Sequence, residues 1–231
     1  MLKIEAKLII PFAFFILSAF NSTKSTFEVI SPSKKYTANF SVEKCENDLC
    51  NGKSNIKLFK NKKLFQTFSS EDLNFFLDKK NKPSINIIQL YNEQSPLIFL
   101  DFNFDGEEDL AIRNGNNSGY GGPSYDIYLF DKNKKKFSIN KALTEIASTN
   151  LGMFKTDTKR KRIIAFSKSG CCWHKTIEYA VKSDKPIELY KLTEDATQNN
   201  GELVEVTTEI FKNNKWSKTI KKYKSSEYYK N

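Results

Sequence analysis

Pro96-Leu-Ile-Phe-Leu100-Asp101-Phe-Asn103-Phe-Asp105-Gly106-Glu107-Glu-Asp109-Leu-Ala-Ile112 is the stretch on which the reading of this chain turns. Asp101, Asn103, Asp105 and Asp109 stand at positions 1, 3, 5 and 9 of a loop whose position 6 is glycine, the spacing at which alternate side-chain oxygens converge on a calcium ion. Gly106 supplies the sharp bend, and the carbonyl of Glu107 is the expected backbone ligand. An EF-hand would carry a bidentate glutamate at position 12, where this chain has Ile112, and would be flanked by helices. Here the flanks are short apolar runs rich in strand-forming residues, so the pattern is strand, acidic loop, strand. A metal-free acidic turn is the alternative.

Outward from the loop the chain reads as almost wholly β. Alternating apolar runs at 36–42, 56–59, 64–68, 85–90, 97–100, 125–130, 137–139, 163–167, 176–181, 187–192, 203–211 and 216–220 are separated by turn residues. Only 71–77 and 143–148 read as short helical turns. Three hairpin-like segments, 58–65, 129–137 and 210–216, repeat one design: an apolar pair, an Asn/Lys turn and an apolar restart. Their spacing is close to two propeller blades of about 40 residues each. The expected fold is therefore an all-β, five-bladed β-propeller over 26–231. A β-sandwich with extra hairpins is the alternative.

The first twenty residues form a separate unit. A basic start with Lys3 and Lys7, an apolar core at 8–17 and the small pair Ser18-Ala19 make a secretory signal peptide, with cleavage expected after Ala19. An uncleaved anchor is the competing reading. No later stretch is apolar enough to span a membrane. The whole chain has 231 residues and a net charge of +10. Removing the leader leaves about +9, spread over the surface with local runs at 132–136 and 159–162. No nucleic-acid module accompanies that charge, so it reads as a solvated surface or as attraction to an acidic partner or anionic envelope. The four cysteines suit two disulfides in an exported chain. Of the three connectivities, Cys45–Cys50 with a vicinal Cys171–Cys172 is favoured, and cross-links between the two regions stay open.

Two further stretches carry candidate contact groups. Residues 113–126 hold four of the nine glycines, together with Ser118, Gly119, Tyr120 and Tyr125, and lack any phosphate-loop ending. They form either a recognition loop with aromatic contacts or a structural turn. Ser169-Gly-Cys171-Cys172-Trp173-His174 contains the only histidine. A thiol nucleophile or a zinc site is possible there in principle, but disulfide bonding is the expected fate of its cysteines, leaving Trp173 and His174 as packing or contact groups.

Taken together, the leader, the 101–110 loop, the Gly-Tyr-Gly-Gly-Pro-Ser-Tyr run at 119–125, the Tyr-Leu-Phe strand at 128–130 and the Ser-Gly-Cys-Cys-Trp-His run at 169–174 resemble periplasmic calcium-binding β-propeller proteins of Gram-negative bacteria, of the FG-GAP/VCBS type. That family includes an immunity protein that inhibits a peptidoglycan-cleaving effector of a type IV secretion system. The resemblance covers roughly 95–195. It implies a monomeric periplasmic binding protein rather than an enzyme, with Ca²⁺ as cofactor held by Asp101, Asn103, Asp105, Glu107 and Asp109. The implied partner is a lysozyme-like effector, blocked by loop occlusion. Ser118-Gly119-Tyr120 is loosely similar to the Ser-Gly-x-Tyr loops of periplasmic lysozyme inhibitors, without their spacer residue. A carbohydrate- or envelope-binding protein is the second reading and a hydrolase the third.

Overall fold

The computed structural model describes residues 24–89 and 94–230. The signal-peptide reading lies outside them. They form three antiparallel sheets. The first is β1 (Ser25–Ile30), β2 (Thr37–Glu46), β3 (Leu49–Lys60) and β4 (Lys63–Ser70) in sequential order, with the short β5 (Phe75–Phe76) also paired to β3. The second is β6 (Leu97–Leu100), β7 (Asp109–Arg113), β8 (Tyr125–Asp131) and β9 (Lys136–Ile139). The third runs β10 (Lys155–Asp157), β11 (Arg162–Ser169), β12 (Trp173–Lys182), β13 (Lys185–Asp195), β14 (Leu203–Lys212) and β15 (Lys215–Lys224). One helix, α1 (Lys141–Thr149), joins the second sheet to the third, and a single turn, α2 (Ser225–Tyr228), follows β15.

This arrangement overturns the five-bladed propeller. The sheets have five, four and six strands, and none closes on itself or repeats around a channel. They are arranged as in a sandwich, with the second sheet in the middle. Leu97, Phe99, Leu110, Ile112 and Phe137 point into a core shared with the first sheet, among Phe40, Ile56, Leu58 and Phe75. Their neighbours Ile98, Ala111, Ile127 and Leu129 point the other way, into a core with α1 and with Ile163, Ala165, Ile177 and Tyr179 of the third sheet. A strand covered on both faces is apolar at every position, which explains the continuous Leu-Ile-Phe-Leu run of β6 and Leu-Ala-Ile of β7. The outer first sheet alternates instead: Ala38, Phe40 and Val42 are buried while Asn39 is exposed and Ser41 half-buried. α1 starts on Asn140, whose Oδ1 accepts the amide of Leu143 at 3.0 Å, and buries Leu143, Ile146 and Ala147.

The three hairpins expected from the Asn/Lys turns are present at β3–β4, β8–β9 and β14–β15. At the two tightest, the turn pairs Asn61-Lys62 and Asn213-Asn214 have positive φ at both residues, the backbone of a two-residue hairpin loop. What fails is the inference from their spacing to blades. Two other local expectations are also corrected. Residues 71–77 are not helical: Leu73 and Phe75 are buried at alternate positions, and β5 pairs with β3. Residues 85–89 are not a strand, because Asn86 adopts φ 61°. Its side chain instead bonds the backbone of Phe99, accepting from N at 2.7 Å and donating to O at 2.8 Å.

Candidate functional site

The acidic loop occupies the turn between β6 and β7, whose ends meet at Leu100 and Asp109. Phe102 is fully buried and meets Phe154 edge-on at 5.6 Å, which anchors the loop to the second core. The oxygens of the acidic side chains turn inward onto the loop's own amides. Asp101 accepts from the N–H of Asp105 at 3.0 Å and of Gly106 at 2.8 Å. Asn103 Oδ1 accepts from Asp105 at 3.2 Å, and Asp105 accepts from Glu107 at 2.8 Å. The Asn103 amide donates to Asp184 at 2.8 Å, which fixes its oxygen on the inner side. Gly106 has φ 89° with open space where a Cβ would stand, so backbone conformation rather than crowding requires glycine.

Asp109 is placed differently. It is fully buried, and its two oxygens accept the amides of Phe102 and Phe130, each at 2.8 Å. Burial pushes its carboxyl up to about 7, the charges of Asp101 and Asp105 add to the rise, and the two amide bonds oppose it. Asp109 thus ties the loop to β8. Asp101, Asn103 and Asp105 bring hard side-chain oxygens, of the kind calcium takes, onto the loop's own amides. Among the described residues no group of three His, Cys, Asp or Glu side chains is clustered tightly enough to hold a metal by itself. Lys35 and Lys132 flank the rim, pairing with Glu107 at 3.2 Å and with Asp105 at 3.8 Å.

The second site is a rim built from two stretches that sequence could only treat separately. After β7, the amide of Asn114 donates to Ser124 O at 2.8 Å and that of Ser124 to Gly115 O at 3.0 Å, so the glycine-rich segment is stitched to itself rather than loose. Its tip is seated on the turn after α1. The Gly119 amide donates to Asn150 O at 2.9 Å, and the buried Ser118 hydroxyl accepts the Gly152 amide at 3.1 Å. A Cβ on Gly122 would lie 2.7 Å from Ser118 Oγ, so only glycine permits that approach.

Tyr120 caps the tip. It is 64% exposed and has a left-handed backbone at φ 58°, costly for a non-glycine residue. Its hydroxyl accepts the amide of Gly170, and Lys168 Nζ lies 5.0 Å from its ring centre. Gly170 opens the β11–β12 turn that contains Cys171 and Cys172, which are joined as a vicinal disulfide, while Cys45 and Cys50 are joined across the β2–β3 hairpin. With both rim sulfurs bonded, neither is a thiolate nucleophile. His174 stacks on Phe166 at 5.7 Å, and Trp173 is half-buried beside it in β12. Tyr125 does not belong to the rim. It is fully enclosed, and its hydroxyl donates to Ser95 O at 2.8 Å, so it is a core residue.

Of the residues singled out from sequence, the fold therefore brings Ser118, Gly119 and Tyr120 together with the Cys171–Cys172 turn. It buries Tyr125 and places Trp173 and His174 on β12, opposite Ser169 and Lys168. Lys168 and Asn150 complete the arrangement. No local pattern signals them, because their partners are remote in the chain. A third feature lies on the solvent face of the first sheet: an open trough of about 580 Å³ whose lining includes Glu28, Asn39, Ser41, Asn55, Lys57 and Phe59.

No protein-family model and no curated protein matches this chain, so the FG-GAP/VCBS resemblance rests on the quoted residues alone. A solved structure described as a Xanthomonas type IV secretion system related protein is similar in fold. Its TM-score is 0.63 at 22% identity, over 84% of this chain and 92% of that one.

Proposed function

We propose that the chain is a non-catalytic binding protein that works outside the cytoplasm, in the periplasm, alongside a type IV secretion system. The observation that carries this is the Tyr120 rim: an exposed aromatic held rigid by a hydroxyl bond to the Gly170 amide and a strained backbone. A ring that is both exposed and already ordered loses little conformational entropy on contact, which is what a binding surface needs. The likeness in fold to a protein related to type IV secretion supports the setting.

The target we favour is the cell envelope itself. The charge of about +9 left after the leader attracts anionic polymer, the exposed Tyr120 ring offers a sugar a stacking face, and the trough's amides, hydroxyls and Phe59 ring offer the glycan a second contact. A second reading is favoured by the Tyr120 tip: it enters and blocks the cleft of a peptidoglycan-cleaving effector. In both readings calcium is structural. Asp101, Asn103, Asp105 and the Glu107 carbonyl would hold it, and it would neutralise carboxylates that otherwise repel one another.

The test has three arms on the purified protein: co-sedimentation with peptidoglycan sacculi, inhibition of a lysozyme-like muramidase, and clearing of sacculi by the protein alone. Sedimentation without inhibition supports the envelope reading, and inhibition supports the second. Clearing by the protein alone, or no effect in any arm, overturns the proposal.

A further inference from the structure

The end of the third sheet presents a surface that the rim does not use. β15 is the outer strand of that sheet; among the described residues it pairs only with β14, and all ten of its residues are exposed. Its outer side offers a row of unpaired backbone N–H and C=O groups. Trp216 and Ile220, 42% and 50% exposed, lie at even positions of the strand and alternate with Lys218 and Lys222. The adjacent β14 residues are opposite in charge to two of these lysines: Glu205 faces Lys222 and bonds it at 3.3 Å, and Glu209 faces Lys218 in register. Lys215, Lys218 and Lys221 make no ion pair among the described residues.

Lys215, Lys218, Lys221, Lys222 and Lys224 on one open edge disfavour a second copy of the same strand through their summed like charge. The same lysines favour a strand of the opposite sign. We infer that the free edge of β15 is a docking site for an extended acidic segment of a partner protein. That segment adds as a seventh strand, its carboxylates opposite Lys218, Lys221 and Lys222 and its apolar residues against Trp216 and Ile220. Main-chain bonds supply affinity in this mode, and the charge pattern selects the partner. The site is independent of what the Tyr120 rim binds.

The test uses the full chain with Trp173→Phe, so that Trp216 alone reports by fluorescence. The probe is the capped nine-residue peptide Thr-Glu-Glu-Val-Thr-Glu-Thr-Val-Thr, which in antiparallel pairing sets its glutamates opposite Lys222, Lys221 and Lys218 and its valines opposite Ile220 and Trp216. Two control peptides follow: one of equal charge with proline at alternate positions, and one with lysine in place of glutamate. Saturable binding of the first peptide, at least tenfold weaker for both controls and at least tenfold weaker in a Lys215→Glu/Lys221→Glu variant, is expected. These two positions face Lys212 and Val206 on β14, so reversing their charge leaves the pairing within the sheet unopposed. Amide exchange in β15 should slow in the complex. Equal binding of the proline peptide, or of anionic vesicles or heparin to the same extent, would reduce the edge to a non-specific basic surface and overturn the inference. So would the absence of saturable binding.

Discussion

Truncating Ile98 and Phe99 one at a time separates a middle sheet from an ordinary two-layer arrangement. The two residues are neighbours on β6 and both are buried, at 0% and 1% exposure, but they enter different cores. In a sheet with one wet face, one of them would point to water and its loss would cost less than about 0.5 kcal/mol. In a sheet covered on both faces, each leaves a cavity: about 2–5 kcal/mol for Ile98→Ala and about 3–5 kcal/mol for Phe99→Ala. The two cavities share few lining atoms, so the double variant should lose nearly the sum, with a coupling below about 0.5 kcal/mol. That total rivals the whole stability of a typical domain, so the double variant should be largely unfolded at room temperature. Urea melts followed by far-UV circular dichroism measure all three. A cost below about 1 kcal/mol for either single variant would refute the middle-layer placement.

Asp109→Asn should destabilise by about 1–3 kcal/mol, because the new NH₂ faces one of the amides of Phe102 and Phe130 that the carboxylate accepts; a melt within error of the parent would contradict that role. Addition of calcium should raise the melting temperature of the parent, and chelation should reverse it, whereas Asp101→Ala should abolish the rise. At the exposed turn after β10, the Arg160 amide and guanidinium hold the Asp157 carboxyl below its usual range. The stability this gives is present above the ordinary carboxylate pKa and lost as pH falls through the lowered one. Arg160→Ala should move the Asp157 titration upward in an NMR pH series.

Much of the strand content was legible because turn chemistry and apolar alternation are local. Asn61-Lys62 and Asn213-Asn214 mark their hairpins, and the apolar Leu-Ile-Phe-Leu of β6 marks a strand. The stacking of sheets was not legible: the acidic loop and regularly spaced hairpins suit a blade as well as a sandwich, and only the pairing of remote strands decides between them. Residues 85–89 misled because Asn86 replaces a strand with one side chain's bonds to Phe99. Tyr125 misled because an aromatic in a glycine-rich stretch looks exposed until the buried carbonyl of Ser95 is found against it. The rim itself depends on the Tyr120–Gly170 bond, fifty residues apart in the chain, and no spacing rule reaches that far.

The central claim is that Tyr120 carries binding without carrying the fold. Its ring is mostly exposed, so Tyr120→Ala removes one exposed hydroxyl bond and keeps the same left-handed backbone, and should leave the melt within about 1 kcal/mol of the parent. The decisive measurement compares the parent with Tyr120→Ala in sacculus co-sedimentation and in muramidase inhibition. The account predicts at least a tenfold loss in whichever assay the parent passes. Equal performance of the two proteins there would contradict it.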